Sequence, residues 1–234
     1  MIQTEHELSR IYRKFVTMTS DVLNIDCMEY MRTLPDNYFQ LAIADPPYGI
    51  KDAGGQTGGS GKLKGRVFNN GYIDRWDKAP TAEFFKELRR ICENVIIWGG
   101  NYFDLPPSRC FICWDKVQPW ENFSQVEYAW TSFEGPAQLF RFDNRTGDKI
   151  HPTQKPVELY AYLLRKYAKE GDRIFDPMMG SQSSRIASYM LGFDYVGCEI
   201  DKTFFDKGCE RFDKVCHGII KQKDGRVIQQ LSLF

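Results

Sequence analysis

The chain has 234 residues, of which 42% are hydrophobic and 15% aromatic, which suffices for one substantial domain with a small insertion or for two small domains. Its 31 basic and 31 acidic residues cancel, so any surface for nucleic acid must come from a local excess of basic side chains. No apolar run approaches the roughly 20 residues of a membrane span, and we expect no membrane association.

The cysteines and the first residues bear on the compartment. Seven cysteines are irregularly spaced, and the single CxxC pair, Cys110 and Cys113, lacks the second pair or the histidines that a zinc site needs. Residues 1–15 are polar and charged, unlike an export signal. We therefore expect a reduced, cytoplasmic protein without a metal.

In chain order, apolar residues at helical spacing first predict a short helix over residues 3–15. It belongs to an N-terminal arm, residues 1–19, that either docks on the domain or contacts a partner. The next predicted elements are strand 22–25, helix 27–34, strand 39–44, helix 81–94 and strands 95–98, 109–114 and 126–132. They are followed by helix 156–169, strand 173–175, helix 183–191, strand 195–198 and helix 202–215.

This alternation of strands and helices predicts an α/β domain over residues 20–225, with a mostly parallel sheet and helices on both faces. Residues 50–72 are rich in glycine and basic side chains and predict a mobile loop, because they cannot bury a core. Residues 226–234 form a C-terminal tail.

The first motif is Asp45-Pro46-Pro47-Tyr48, directly after the apolar strand 39–44. Ligands of open α/β sheets bind beyond the carboxyl ends of strands, so the motif is well placed for chemistry. The prolines stiffen the backbone, the Pro46 carbonyl and the Asp45 carboxylate offer two acceptors, and Tyr48 offers a flat ring. Two fixed acceptors suit an exocyclic amino group, and the ring can stack on a flipped base. The alternative is an ordinary turn at the end of a strand.

The second motif runs from Phe175 to Glu199 as strand, turn, helix and strand with an acidic end. Gly180 permits a tight turn, and Glu199 can accept hydrogen bonds from both hydroxyls of a ribose. The G-x-G-x-x-G pattern is missing, which disfavours a pyrophosphate-bearing cofactor and a nicotinamide dehydrogenase. A simple crossover between strands is the alternative.

Together these strings resemble the motifs of amino-methylating DNA methyltransferases. Asp45–Tyr48 is similar to the (D/N)PP(Y/F/W) motif that adenine N6 enzymes favour, whereas cytosine N4 enzymes more often begin it with Ser. FDPMMGS (175–181) resembles the cofactor loop FDPFxGSGT, and HPTQKP (151–156) resembles the HPxxKP segment. NIDC (24–27) resembles the GDC element, and EID (199–201) resembles the acidic ribose-binding end.

The order of these motifs resembles the β group, whose target-recognition region lies in the middle of the chain, here roughly residues 116–150. The resemblance implies a Rossmann-like methyltransferase fold with a small inserted recognition region, S-adenosylmethionine as cofactor, double-stranded DNA as substrate and adenine N6 as target. Cytosine N4 remains an alternative target, and an inactive DNA-binding or cofactor-binding module is an alternative function. The motif order argues against RNA as substrate.

The resemblance also implies roles for single residues. The catalytic set is Asp45, Pro46, Pro47 and Tyr48. The cofactor-binding set is Asp26, Cys27, Lys155, Asp176, Pro177, Gly180, Ser181 and Glu199, with Lys155 meeting the cofactor carboxylate. Gln182 replaces a glycine of the family, which would put a side chain where the backbone approaches the cofactor.

Several segments are candidates for partner contacts. The glycine-rich loop 51–66 clamps DNA phosphates or is a solvated loop without contacts. Trp120 and Phe123 belong to the core or wedge into DNA, and Arg141, Arg145 and Lys149 are weaker candidates for DNA contacts. The tail Gln230-Leu231-Ser232-Leu233-Phe234 resembles the peptide by which bacterial proteins bind the replication sliding clamp, or else it is a terminal strand. A homodimer is possible.

Overall fold

The computed structural model describes residues 18–50, 78–119, 124–143, 149–151, 153–221 and 226–229. The strands are β1 (Ser20–Leu23), β2 (Phe39–Ala44), β3 (Cys92–Trp98), β4 (Ile112–Asp115), β5 (Val126–Thr131), β6 (Gln138–Arg141), β7 (Arg173–Asp176), β8 (Asp194–Cys198), β9 (Ile219–Lys221) and β10 (Val227–Gln229). The helices are α1 (Cys27–Arg32), α2 (Ala82–Ile91), α3 (Val157–Tyr167), α4 (Ser183–Leu191) and α5 (Lys202–His217), with a 3-10 turn at Gly100–Tyr102.

Eight strands form one sheet in the order β1-β8-β7-β2-β3-β5-β4-β6, and β9 and β10 form a separate antiparallel pair. Within the large sheet β5 runs antiparallel to β3 and β4, while the other neighbours are parallel. The predicted mostly parallel α/β sheet is confirmed. The strand order reverses between β7 and β2, so a crevice for ligands opens at their carboxyl ends.

Both faces of the sheet are buried, as β2 shows. Ala42 and Ala44 pack into one hydrophobic cluster, with Phe84 and Leu88 of α2. Leu41 and Ile43, which alternate with them along the strand, pack into the other cluster, which includes residues of α3. Alternating side chains of one strand point to opposite faces, so helices must cover the sheet on both sides.

Local hydrogen bonds fix two of the helix starts beside the crevice. The Asp26 carboxylate caps α1 by accepting a hydrogen bond from the Met28 amide at 2.7 Å. Asp201 caps α5 through the amides of Thr203 and Phe204. Such caps hold the chain that leaves a strand in one direction, and here they shape the loops after β1 and β8.

Some predicted boundaries were wrong. The helix predicted over 81–94 ends at Ile91, because Cys92 already pairs with Phe39 of β2 and tertiary pairing overrides local propensity. The strand predicted from residue 109 begins at Ile112, since the Cys110 carbonyl accepts hydrogen bonds from the Ser108 and Thr131 hydroxyls. Pro156 caps α3 and is not its first residue.

Three strands were not predicted as such: β6 and the pair β9 and β10. Both β5 and β6 fall in the predicted recognition region 116–150, yet they complete the central sheet. Strand β10 falls in the predicted tail. Other predictions lie outside the described residues: helix 3–15, loop 51–66, Trp120, Phe123, Arg145 and Gln230–Phe234.

Candidate active site

The carboxyl edge of the sheet brings the predicted motifs together. Asp26 follows β1, Asp45 follows β2, Asp176 ends β7 and Glu199 follows β8. Because these four strands are parallel neighbours in the order β1-β8-β7-β2, their carboxylates line one edge on both sides of the switch point. Gly99, which follows β3, extends the same edge.

Asp45 is held by two side chains. The Lys155 ammonium lies 2.5 Å from Asp45 Oδ1, and the Tyr48 hydroxyl donates to the same oxygen at 3.1 Å. The Lys155 ammonium also donates to the Tyr48 hydroxyl at 3.4 Å. Lys155 is only 4% exposed. This lysine, predicted as a cofactor contact, pairs in the structure with the predicted catalytic aspartate.

A second carboxylate shares this lysine. Glu127 Oε2 lies 3.1 Å from Lys155 Nζ, and Glu127 Oε1 lies 2.6 Å from Lys116 Nζ. Sequence reasoning missed Glu127, although an acidic residue inside an apolar strand is a signal that could have marked it. The position opposite Lys155 depends on the antiparallel placement of β5 beside β3, which no local pattern indicates.

Burial and ion pairing shift the pKa values of these groups. Burial raises the pKa of Asp45 above its usual value, with Lys155 opposing the effect. Burial would also raise the pKa of Glu127, but Lys155 and Lys116 lower it to about 2. Burial would lower the pKa of Lys155, but Asp45 and Glu127 hold it above its usual value. The ammonium therefore stays charged between two carboxylates.

The Tyr48 ring packs against Gly99, the residue that follows β3. Gly99 has a φ of +69°, and a Cβ at this position would come within 2.2 Å of the Tyr48 ring, so only glycine leaves room for it. Tyr102, which is 47% exposed, stacks on Tyr48 with ring centroids 4.9 Å apart. Pro46 is buried and Pro47 is partly buried.

At the other end of the crevice, Glu199 holds the loop after β7. Its Oε2 accepts a hydrogen bond from the Gly180 amide at 2.9 Å, and its Oε1 accepts one from the Asp201 amide at 2.8 Å. Burial raises the pKa of Glu199, while these amides oppose the effect. The next residue, Ile200, is 70% exposed, which places an apolar surface beside the carboxylate.

Asp176 and Ser181 shape the same loop from inside. Asp176 accepts hydrogen bonds from the Met178 amide at 3.0 Å and the Ser184 hydroxyl at 2.5 Å. Burial raises the pKa of Asp176 to about 7. Arg211 of α5 donates to the Ser181 carbonyl at 2.7 Å, so both ends of the loop are fixed to neighbouring elements.

Gln182 does not project into the crevice as the sequence suggested. Its side chain is fully buried and donates to the Phe205 carbonyl of α5 at 3.3 Å. Its backbone has a φ of +59°, in the left-handed region that glycine adopts without steric strain. Gly208 of α5 makes room, because a Cβ there would come within 2.7 Å of Gln182.

The remaining predicted residues surround this edge. Asp26 is partly buried, whereas Cys27 and Pro177 are buried, and the Cys27 side chain is part of the core. Burial raises the pKa of the Cys27 thiol to about 12. His151 packs its ring 4.2 Å from that of Phe204, and burial together with Lys155 lowers its pKa to about 4.

The chain is similar in sequence and in fold to known DNA methyltransferases. A family model described as DNA methylase matches residues 113–210. The Type II methyltransferase M.HinfI of Haemophilus influenzae is 23% identical over 83% of this chain and 68% of its own length. The structure of the M1.HpyAVI–SAM complex (TM-score 0.53, 18% identity) aligns over 82% of this chain and 98% of its own. The structure of the cytosine-N4-specific PvuII DNA methyltransferase has a TM-score of 0.51 and 12% sequence identity. It aligns over 85% of this chain and 93% of its own length.

The sheet, its strand order and the acidic edge define a Rossmann-like methyltransferase fold. Within that class, the chain is similar in its motifs to amino-methylating DNA methyltransferases, and the family model matches residues 113–210. No helix in the described part of the chain is long and apolar enough to cross a membrane.

Proposed function

We propose that this protein transfers a methyl group from S-adenosylmethionine to the exocyclic N6 of adenine in a specific short sequence of double-stranded DNA. The target base is flipped out of the duplex, because its amino group is otherwise inaccessible. The observation that carries the proposal is the placement of Asp45, an acceptor at the end of β2, across the switch point from the Gly180 loop and Glu199.

The crevice suits a cofactor with a ribose and an adenine. The Glu199 oxygens accept hydrogen bonds from the Gly180 and Asp201 amides, and a carboxylate has about four acceptor positions, so it can also accept from ribose hydroxyls. Ile200 offers an exposed apolar surface for a flat ring, next to Asp26 across β1 and β8. S-adenosylmethionine, when bound, supplies a methyl group that its sulfonium already activates, so the chain needs no metal for this step.

Asp45 and the Pro46 carbonyl act on the amino group of the base. The nitrogen lone pair of adenine is delocalised into the ring, and two acceptors that hold both hydrogens favour its attack on the methyl carbon. Methylation leaves one proton too many on that nitrogen, and Asp45, whose pKa burial raises, can accept it. Tyr48 supplies the stacking surface, and a base that enters from the side of Tyr102 replaces that ring.

Adenine is favoured over cytosine because the motif begins with Asp and not Ser. Cytosine N4 methylation by the same acceptors is the main alternative, and the family includes both activities. For DNA contacts we propose loop 51–66 and Arg141, which pairs with Asp115 at 2.9 Å yet leaves two thirds of its side chain exposed. Clamp binding through Gln230–Phe234, a homodimer and a cytoplasmic location remain predictions.

The direct test is to incubate the full chain with labelled S-adenosylmethionine and unmethylated mixed-sequence duplex DNA, and then to digest the DNA and identify the labelled nucleoside. We expect N6-methyladenine. Asp45→Ala should lower the rate about 100-fold or more, because it removes an acceptor used in the transition state. Asp206→Ala, which breaks an exposed ion pair with Lys202, is the matched control and should retain full activity.

Two other outcomes would change the proposal. Labelled N4-methylcytosine would move the target to cytosine and leave the site intact. Binding of S-adenosylmethionine without transfer to any duplex would contradict the activity and favour a binding module.

A further inference from the structure

Lys155 lies between two carboxylates, and it binds them unequally. Its ammonium is 2.5 Å from Asp45 Oδ1 and 3.1 Å from Glu127 Oε2. The contact with Asp45 is the closer, and the same ammonium also donates to the Tyr48 hydroxyl. Lys155 is therefore bound mainly to the motif that must receive the target base.

Glu127 has unused acceptor capacity on the side that faces Lys155. Its Oε1 is engaged by Lys116 at 2.6 Å. Its Oε2 is buried and lies 3.1 Å from the Lys155 ammonium, an ion pair whose angles fall short of a well-aligned hydrogen bond. Buried carboxylate oxygens are normally hydrogen-bonded, so a small movement of the Lys155 ammonium toward Oε2 would strengthen this contact.

In contrast to Glu127, Asp45 has one carboxylate oxygen that is already fully engaged. Its Oδ1 already accepts from Lys155 and from Tyr48, so this oxygen has little capacity left for the incoming amino group. An ammonium held against Asp45 also opposes the positive charge that develops on the target nitrogen. A shift of the ammonium away from Asp45, within its buried site, would free Oδ1 and reduce this repulsion.

We propose that Glu127 is a positioning residue that takes over the Lys155 ammonium when the target amino group reaches Asp45. Lys116 holds the other oxygen of Glu127 and keeps the carboxylate ionised and in place for this exchange. Lys116 and Lys155 carry two positive charges, and Asp45 and Glu127 carry two negative charges. The shift of the Lys155 ammonium therefore takes place within a cluster of zero net charge. The inference rests on the proposed methyl transfer to an amino group.

The first test compares Glu127→Gln with the wild type, using the full chain and unmethylated mixed-sequence duplex DNA. We expect kcat to fall about tenfold or more with little change in KM for DNA, because the lost interaction acts in the transition state. Binding of S-adenosylmethionine should be unchanged. Glu210→Gln, at an exposed position of α5, is the matched control.

The pH dependence of kcat separates this role from a merely structural one. Removing the Glu127 charge lowers the pKa of Asp45, so the acid limb of the profile should move to lower pH in Glu127→Gln. Loss of packing alone would lower kcat and leave this limb in place. The other groups that act on Asp45 or Lys155 are retained in the variant: Tyr48, Tyr160, Asp176 and His151.

A double-mutant cycle with Lys155→Met tests whether Glu127 acts through the lysine. The double variant lacks both the Glu127 carboxylate and the Lys155 ammonium, so neither buried charge is left without its partner if a single variant folds poorly. We expect Glu127→Gln to cause no further loss of kcat in the Lys155→Met background. Independent losses that multiply, or wild-type kcat and pH profile in Glu127→Gln, would overturn the inference. If the wild type itself transfers no label to any duplex, the proposed function fails and this inference with it.

Discussion

At the scale of single residues, Asp45 combines two demands that oppose each other. It must remain an acceptor in a site with little water, and burial alone would favour its protonated form. Lys155 keeps the carboxylate ionised, at the cost of occupying one of its oxygens. The residue type and the place of Asp45 could be predicted from the four-residue motif, whereas its partner could not, because Lys155 is more than 100 residues away in the chain.

The contribution of Tyr48 can be divided between its ring and its hydroxyl. Tyr48→Phe removes the hydrogen bond to Asp45 but keeps the ring, and kcat/KM should fall by no more than about tenfold. Tyr48→Ala also removes the stacking surface, which is worth about 1–3 kcal/mol per base, and kcat/KM should fall about 10- to 100-fold further. Steady-state kinetics on duplex DNA measures both, and equal losses in the two variants would show that the ring contributes nothing.

Asp176 makes stability depend on pH. Its pKa is raised to about 7 in the folded chain, whereas an unfolded chain has a value near 4, so its contribution to stability is full below about pH 4 and is lost as the pH rises to 7. Asp176→Asn cannot ionise and keeps an acceptor for the Met178 amide. We therefore expect the free energy of unfolding of Asp176→Asn, measured with denaturant and without cofactor, to rise relative to that of the wild type from pH 4 to 8, by up to about 4 kcal/mol. Parallel pH profiles of the two proteins would contradict this assignment.

At the scale of elements, the loop after β7 shows what local sequence can and cannot predict. The turn at Gly180, the helix Ser183–Leu191 and its end at Gly192 all follow from residues within the segment. The direction of the Gln182 side chain does not, because it depends on α5. Glycine at 208 leaves a gap in that helix, and Gln182 fills it. A departure from the family pattern in one element is thus accommodated in another.

This pairing predicts the effect of Gly208→Ala. The new Cβ would lie 2.7 Å from Gln182, whose side chain is buried and hydrogen-bonded and cannot easily move, so the variant should lose about 1–3 kcal/mol of stability. Adding Gln182→Gly should recover part of the loss, since glycine removes the clash and tolerates the positive φ. Denaturant unfolding of both variants measures this. Additive losses in the double variant would show that the two positions are not coupled.

At the scale of the whole molecule, the sheet joins motifs that are far apart in the chain. The α/β class and the location of the motifs at strand ends follow from the alternation of strands and helices, since parallel strands share one carboxyl edge. The antiparallel insertion of β5 between β3 and β4 could not be predicted in this way. That insertion brings Glu127 to Lys155, and it turns part of the predicted recognition region into sheet.

The most direct test of the central claim is to express the full chain in a bacterial host that lacks its own DNA methyltransferases and to sequence the genomic DNA with a method that reads modified bases. We expect N6-methyladenine at one short sequence in cells with the wild-type chain and none in cells with Asp45→Ala. N4-methylcytosine would contradict the choice of adenine. Unmodified DNA, with soluble protein that binds S-adenosylmethionine in the same cells, would contradict the proposed methyl transfer itself.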